Sequence, residues 1–362
     1  MDKTNSALQA PAEREDGYHV GWQCPSNIAL VKYWGKSGNQ VPMNPSLSMT
    51  LNASVTKTTV RARKKENNKD VAQLRYIFEG IENRAFREKI QAVLKNLSSE
   101  FPFLQEYNLE VESSNTFPHS AGIASSASSM GALALCLLSL DSLIMGKKMN
   151  IHTFLKKASH IARLGSGSAS RSIYGEYVLW GKMSMIPRSG NLSAIPLPVK
   201  PHPVFANLQD SILVVDQSEK PVSSRAGHEK MYNHPFRKGR ILQVDKNIRQ
   251  IIKALGSGDW VAFSNAVENE ALTLHGLMMS SDPGIVLIQP NSLIAIEKIR
   301  AFRTRKNIKI TFTLDAGPNL HLLYPEEEAK VVRKFISQEL AAYCVNNYVI
   351  YDQIGRGPVQ II

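Results

Sequence analysis

Five stretches of this sequence gather residues that could hold an anion or move a proton. Pro118-His-Ser-Ala-Gly-Ile-Ala-Ser-Ser-Ala127 is a run of small residues leading into an apolar, Ala/Leu-rich segment that ends near Leu140. Small residues let the backbone turn tightly, and the apolar segment reads as a buried helix. The first turn of a helix has N–H groups without partners and the positive end of the dipole, a setting that accepts phosphate. The loop lacks the Gly-Lys-Ser/Thr ending of a P-loop and the spacing of a dinucleotide fingerprint. Ordinary Ser capping is the alternative reading, of similar weight for this stretch alone. Further phosphate-friendly stretches in the same chain tip the balance.

Gly165-Ser-Gly-Ser-Ala-Ser-Arg-Ser172 is the second, with four serines, two glycines and one arginine in eight residues. The glycines admit close approach, the serines donate, and Arg171 offers a planar fork matched to phosphate oxygens. A flexible turn is the bland reading, and the apolar sequel to Trp180 argues against it. The third is Asn27-Ile-Ala-Leu-Val-Lys-Tyr-Trp-Gly-Lys36. Lys32 follows an apolar run, and a lysine with little solvent is costly unless an anion or a carboxylate meets it. Snorkelling at a strand edge is the alternative. The fourth is Thr311-Phe-Thr-Leu-Asp-Ala-Gly-Pro-Asn319, where Asp315 ends an apolar strand as a rigidly held base or as an Asx-turn cap, the cap being favoured for this stretch alone. The fifth, Lys220-Pro-Val-Ser-Ser-Arg-Ala-Gly-His228, repeats the chemistry of the second in a loop.

The elements that must position these residues alternate irregularly. Strand-like patterns fall at 18–22, 47–51, 55–60, 109–113, 177–180, 212–215, 308–314 and 348–351. Helical spacing covers 84–98, 126–145, 151–164, 235–255, 259–278, 291–305 and 325–344. Strands and helices interleave without a β-α repeat, which predicts two α+β domains. Four prolines in the nine residues Ile195–Pro203 mark the neighbourhood of the boundary. The polar first seventeen residues read as a loose tail.

A chain of 362 residues suffices for two cores, and 43% hydrophobic with 20% charged residues is ordinary for a soluble globular protein. Cys24, Cys136 and Cys344 are far apart, with no metal-ligand spacing, which points to a reducing compartment. No secretory signal is visible, and the longest apolar run, Gly131 to Met145, is interrupted by Asp141 and reads as too short to span a bilayer. A cytoplasmic location is expected. The net charge of +12 fits a solvated surface, nucleic-acid binding or a polyanionic small substrate, and does not choose among them.

Taken in order, these residues resemble the diphosphomevalonate decarboxylases, within the superfamily of galactokinase, homoserine kinase, mevalonate kinase and phosphomevalonate kinase. The 118–127 loop is similar to the superfamily's Pro-x-x-x-Gly-Leu-x-Ser-Ser-Ala pattern, with Ile123 for Leu. The narrower resemblance rests on Asn27-Ile-Ala29 with Lys32-Tyr-Trp-Gly-Lys36, on Gly165-Ser-Gly-Ser-Ala-x-Arg-Ser172 and on Asp315-Ala-Gly-Pro-Asn319. Val222-Ser-Ser-Arg225 and Glu270-Ala-Leu-Thr-Leu-His-Gly-Leu-Met-Met279 also look like the family. Ser170, Glu176 and Pro283-Gly284 depart from it and hint at a divergent branch.

The resemblance implies an α+β, two-domain small-molecule kinase fold. After a tail at 1–17, an N-terminal ribosomal-protein-like, ATP-binding domain (18–203) with a left-handed β-α-β crossover would meet a C-terminal ferredoxin-like domain (204–362) at an active-site cleft. The implied reaction is ATP-dependent decarboxylation of (R)-5-diphosphomevalonate to isopentenyl diphosphate, and the alternative is a relative acting on 5-phosphomevalonate or mevalonate, with or without decarboxylation. Asp315 and Lys32 are implied as catalytic; Tyr33, Lys36, Gly167, Ser168, Arg171 and Arg225 as substrate-binding; and Ser120, Gly122, Ser125 and Ser126 as nucleotide-binding. ATP is expected with Mg²⁺, which arrives without protein ligands that the sequence identifies. A homodimer is expected from the family's habit, with no nucleic-acid or membrane partner.

Overall fold

Two long strands form the spine of the first domain in a computed structural model that describes residues 17–38, 40–67, 71–118, 123–218 and 224–362. β1 (Tyr18–Val31) runs antiparallel to β2 (Ser46–Lys64), from Tyr18 opposite Ala62 to Val31 opposite Leu47. The three short strands predicted here are thus segments of two continuous ones. The register shifts between Pro25 and Asn27 and again between Ala29 and Val31. Proline has no N–H for the ladder, so the first shift falls where pairing is weakest, and both re-aim the strand just before Lys32.

β3 (Leu74–Phe78), α1 (Arg84–Leu97) and β4 (Tyr107–Asn115) follow; β4 pairs antiparallel with β2 and parallel with β3. β3 was not anticipated. α2 (Ser125–Ile144) and α3 (Ile151–Gly165) pack on this sheet, and β5 (Tyr177–Trp180) pairs with the start of β2. α2 has 20 residues and is apolar enough to cross a membrane, longer than the run read from the sequence. It instead lies inside the domain, with β1, β2 and α3 against its faces, where burial of apolar side chains explains its composition.

The second domain begins after the proline-rich segment with β6 (Gln209–Leu213), then α4 (Arg237–Ser257), α5 (Trp260–Met279) and α6 (Pro290–Lys306). β7 (Thr311–Leu314), β8 (Leu320–Tyr324) and β9 (Val349–Gln353) complete a four-stranded antiparallel sheet in the order β7-β8-β6-β9. That is the ferredoxin-like arrangement expected. β8 was missed because all five of its residues are buried, so no alternation marks it. The single helix predicted over 325–344 is broken. An α-helical turn over Ala329–Phe335 passes into a π turn at Ile336–Leu340, closed by the Ala341 N–H on the Ile336 carbonyl. Phe335, Ile336 and Leu340 all lie in the core of this domain.

The domains share a hydrophobic cluster in which Ile28, Leu30, Leu47 and Met49 meet Phe205, Ile212, Val244, Ile248 and Val267. Beyond β9 the chain returns to the first domain. Ile354 bridges Leu51, and β10 (Val359–Gln360) pairs with Trp22 and Gln23 of β1. Asp352 accepts hydrogen bonds from the backbone N–H groups of Asn52, Ala53 and Ser54.

Candidate active site

Lys32 is the first residue beyond β1 and Asp315 the first beyond β7, so the two strand ends meet across the domain seam. The Lys32 ammonium lies 2.8 Å from Asp315 Oδ1 and donates to the Ala29 carbonyl at 2.6 Å. The lysine side chain is 1% exposed and that of Asp315 31%, so the cation is interior and the carboxylate opens outward. Burial lowers the Lys32 pKa, and the charge and hydrogen bond of Asp315 oppose that shift.

Arg171 ends a 3₁₀ turn, Gly167–Arg171, that follows α3. Its Nε donates to Asn27 Oδ1 at 3.3 Å, its Nη1 bonds the Ser46 hydroxyl, and the guanidinium lies over the Trp180 ring at 5.9 Å. Burial pulls its pKa down to about 10, with the Asp315 charge opposing, so it remains a cation at neutral pH. Asn27 also donates to the Ser172 hydroxyl at 2.8 Å and to the Ser168 carbonyl at 3.3 Å, tying this turn to β1. Asn27 enters the sequence reading only as part of a motif; a buried amide directly before the apolar run Ile28–Val31 is the signal that it holds something.

The Tyr33 ring sits 4.8 Å from Trp180 and 4.3 Å from His228. Its hydroxyl is buried with no hydrogen-bond partner, and burial raises its pKa. Gly167 permits this closeness, because a Cβ there would come within 2.9 Å of both Tyr33 and Trp180. The Gly35 N–H donates to His228 Nδ1 at 3.0 Å. That bond needs a neutral ring, and burial together with the Lys36 charge holds the His228 pKa down at about 3. His228 had no predicted role. Lys36 is half-buried on a small hairpin and donates to Gln40 at 3.0 Å.

α2 opens at Ala124 in the left-handed region (φ 46°, ψ 44°), with no side-chain cap and no acidic residue in its first turn. The Ser125 hydroxyl accepts from Asn115 Nδ2 at 3.0 Å. Ser126 is exposed, with its hydroxyl 3.3 Å from that of Ser166, which in turn lies 3.4 Å from that of Ser168. The 118–127 loop and the 165–172 turn are therefore adjacent in space. Ser120 and Gly122 lie outside the described residues, as does the Arg225 side chain; the Arg225 backbone belongs to a short helix, Ser224–Glu229. Among the described residues, no three His, Cys, Asp or Glu side chains gather in a way that could hold a metal ion. Lys32, Asp315, Arg171, Tyr33, Gly167 and Ser168 form one constellation, a carboxylate beside two buried cations and an orphaned phenol.

A profile of the diphosphomevalonate decarboxylase-like N-terminal domain matches residues 24–189, and one of the mevalonate 5-diphosphate decarboxylase C-terminal domain matches residues 211–360. A diphosphomevalonate decarboxylase of Gibberella zeae is 30% identical over 87% of this chain and 83% of its own length. The human one is 28% identical over 82% of this chain and 74% of its own. The crystal structure of mevalonate diphosphate decarboxylase from Staphylococcus aureus superposes with a TM-score of 0.80 at 27% identity, covering 95% of this chain and 98% of that one. A structure described as MDDEF in complex with MVAPP, AMPPCP and magnesium gives 0.79 at 29% identity over the same shares.

Proposed function

The chain belongs to the diphosphomevalonate decarboxylase family, and we infer that it converts (R)-5-diphosphomevalonate and ATP into isopentenyl diphosphate, ADP, phosphate and carbon dioxide. The observation that carries this reading is the Lys32–Asp315 pair set beside Arg171 at the domain seam.

The residues fit both ligands. The uncapped, acid-free start of α2 suits nucleotide phosphates, with Ser125 and Ser126 at hand and Ser120 and Gly122 in the preceding loop. Arg171, Ser168 and the close backbone at Gly167 suit the substrate's diphosphate, assisted by Arg225, with Tyr33 and Lys36 near its carboxylate end or phosphates. An unpartnered buried hydroxyl at Tyr33 is costly in isolation and is relieved by a ligand acceptor. Mg²⁺ enters with ATP and neutralises phosphate charge there.

Asp315 accepts the proton of the tertiary 3-hydroxyl as that oxygen bonds the γ-phosphorus and the bond to ADP breaks. Lys32 orients the carboxylate and adds positive charge where phosphoryl transfer is a matter of positioning and neutralisation. The new phosphate then leaves with the C3–O electron pair. The electrons of the C1–C2 bond become the alkene and carbon dioxide departs.

Incubation with ATP and 5-diphosphomevalonate, following ADP and carbon dioxide together, tests the reading. Equal release of both is expected; ADP without carbon dioxide would make the protein a kinase of the same superfamily. Ranking kcat/KM for the diphosphate, monophosphate and unphosphorylated substrates should favour the diphosphate, because a lost charged hydrogen bond costs about 1.5–3 kcal/mol. A homodimer and a cytoplasmic location complete the proposal, checked by sedimentation and by cell fractionation.

A further inference from the structure

The segment Glu270-Ala-Leu-Thr-Leu-His275 on α5 has no part in the chemistry above, yet the residues at its two ends, Glu270 and His275, reach the Lys32–Asp315 pair. Glu270 Oε2 accepts the Lys32 backbone N–H at 3.0 Å. His275 Nε2 lies 3.1 Å from the Asp315 carbonyl oxygen. A carbonyl only accepts, so Nε2 carries the proton in that bond. We propose that α5 is the positioning element of the active site, with Glu270 and His275 holding the peptide groups of Lys32 and Asp315 from one rigid helix and so setting the contact between their side chains. This rests on the roles given to Lys32 and Asp315 under the proposed function.

The two members of the pair come from different domains, one after β1 and the other after β7, and α5 packs against both strands. Residues five apart on a helix are separated by about 7.5 Å along its axis, a fixed ruler between two strand ends. Glu270 is itself immobilised. It is 0% exposed, and its carboxylate accepts from Arg240 Nη1 at 2.8 Å, Arg240 Nη2 at 2.7 Å and Asn247 Nδ2 at 2.7 Å. The Lys32 carbonyl is gripped too, by Asn44 Nδ2 at 3.0 Å and Arg240 Nη2 at 3.3 Å. Well-packed apolar residues serve stability as well as a buried ion pair does, so the pair's distinctive contribution is direction. Direction is what the site needs, because a misplacement of about 1 Å costs on the order of 100-fold in rate.

The test is steady-state kinetics on the full-length protein with ATP and 5-diphosphomevalonate. In His275→Leu, kcat is expected to fall by about 10–100-fold while both KM values stay within about 2-fold. In His275→Gln, whose amide N–H reaches the same carbonyl, the loss shrinks to about 3-fold or less. Placed on Asp315→Asn, His275→Leu adds nothing further, because it acts through that residue. Full activity in His275→Leu, equal damage in the Gln variant, or additive losses on Asp315→Asn would overturn the proposal. Amide exchange reads the other half without turnover. The single oxygen of Glu270→Gln cannot serve Arg240, Asn247 and Lys32 together, so exchange at the Lys32 N–H should quicken by about 10-fold or more. An unchanged rate would remove Glu270 from the proposal. Absence of carbon dioxide release by the unmutated protein would defeat the reaction assigned above, and the exchange measurement would still decide whether α5 holds Lys32.

Discussion

At Asp315 a single side chain carries two readings, cap or base, and substitution separates them. Its carboxylate meets a buried ammonium and remains partly open. Asp315→Asn keeps the shape and removes the proton acceptor, so turnover is expected to fall by about 10²–10⁴-fold with ATP affinity little changed. Near-normal turnover would return the residue to a capping role. Arg171→Lys keeps the charge but loses the fork that binds Asn27 and Ser46 together. It should raise the substrate KM and leave ATP affinity intact, and titration with each ligand separates the two. His228 links the site to acid. Its ring is neutral in the folded protein down to a pKa of about 3 but takes a proton from pH 6.5 downward when unfolded. Its contribution to stability is therefore complete above pH 6.5 and is lost by up to about 1.4 kcal/mol per pH unit as pH falls towards 3. Denaturant midpoints against pH should show a shallower acid limb in His228→Asn. An equally steep limb would assign the acid sensitivity elsewhere.

α2 shows how an element is placed by one residue. Gly131 faces β1, and a Cβ on it would lie 2.5 Å from Cys24 Sγ. That thiol donates to the Ser172 carbonyl at 3.3 Å and is fully buried, so it cannot swing clear. Helix propensity favours Gly131→Ala by about 1 kcal/mol. Overpacking opposes it by about 1–3 kcal/mol, and the steric cost should win. A lower thermal midpoint is expected in Gly131→Ala, recovered in part when Cys24→Ala is added; a stabilised single variant would mean that the helix shifts freely. The apolar run of α2 was legible in the sequence because a buried helix concentrates Ala and Leu. β8 and the broken helix after it were not, because fully buried strands lack alternation and the π turn answers to core packing rather than to local spacing.

For the molecule as a whole, the joint between domains decides whether the site exists. The shared cluster around Ile28, Phe205 and Val267 supplies adhesion without direction. Asp352 supplies direction, presenting one carboxylate to three successive N–H groups of β2 where its register with β1 shifts. In Asp352→Ala, the N–H groups of the exposed residues Asn52 and Ala53 turn to water, while that of buried Ser54 does not. We expect a loss of about 2–3 kcal/mol. Denaturation followed by probes in each domain should also show the two transitions separating. Unchanged stability would leave the apolar cluster as the whole of the joint.

The sequence by itself determined the chemistry at hand: Ser/Gly turns with an arginine, a lysine after an apolar run, an aspartate before Ala-Gly-Pro, and the order in which they occur. Those signals are local, and local spacing carries them. It could not say that the carboxylate awaited by Lys32 lies 283 positions away, since nothing in periodicity reports which strand ends converge. Only the tertiary structure decided that pairing. It also placed Asn27 between β1 and the 165–172 turn, gave His228 its place against Tyr33, and brought α5 behind both members of the reacting pair. The reason is that each such contact joins segments far apart in the chain, within the first domain for Asn27 and across the two domains for the others, and that meeting leaves no mark on the neighbouring residues of either partner.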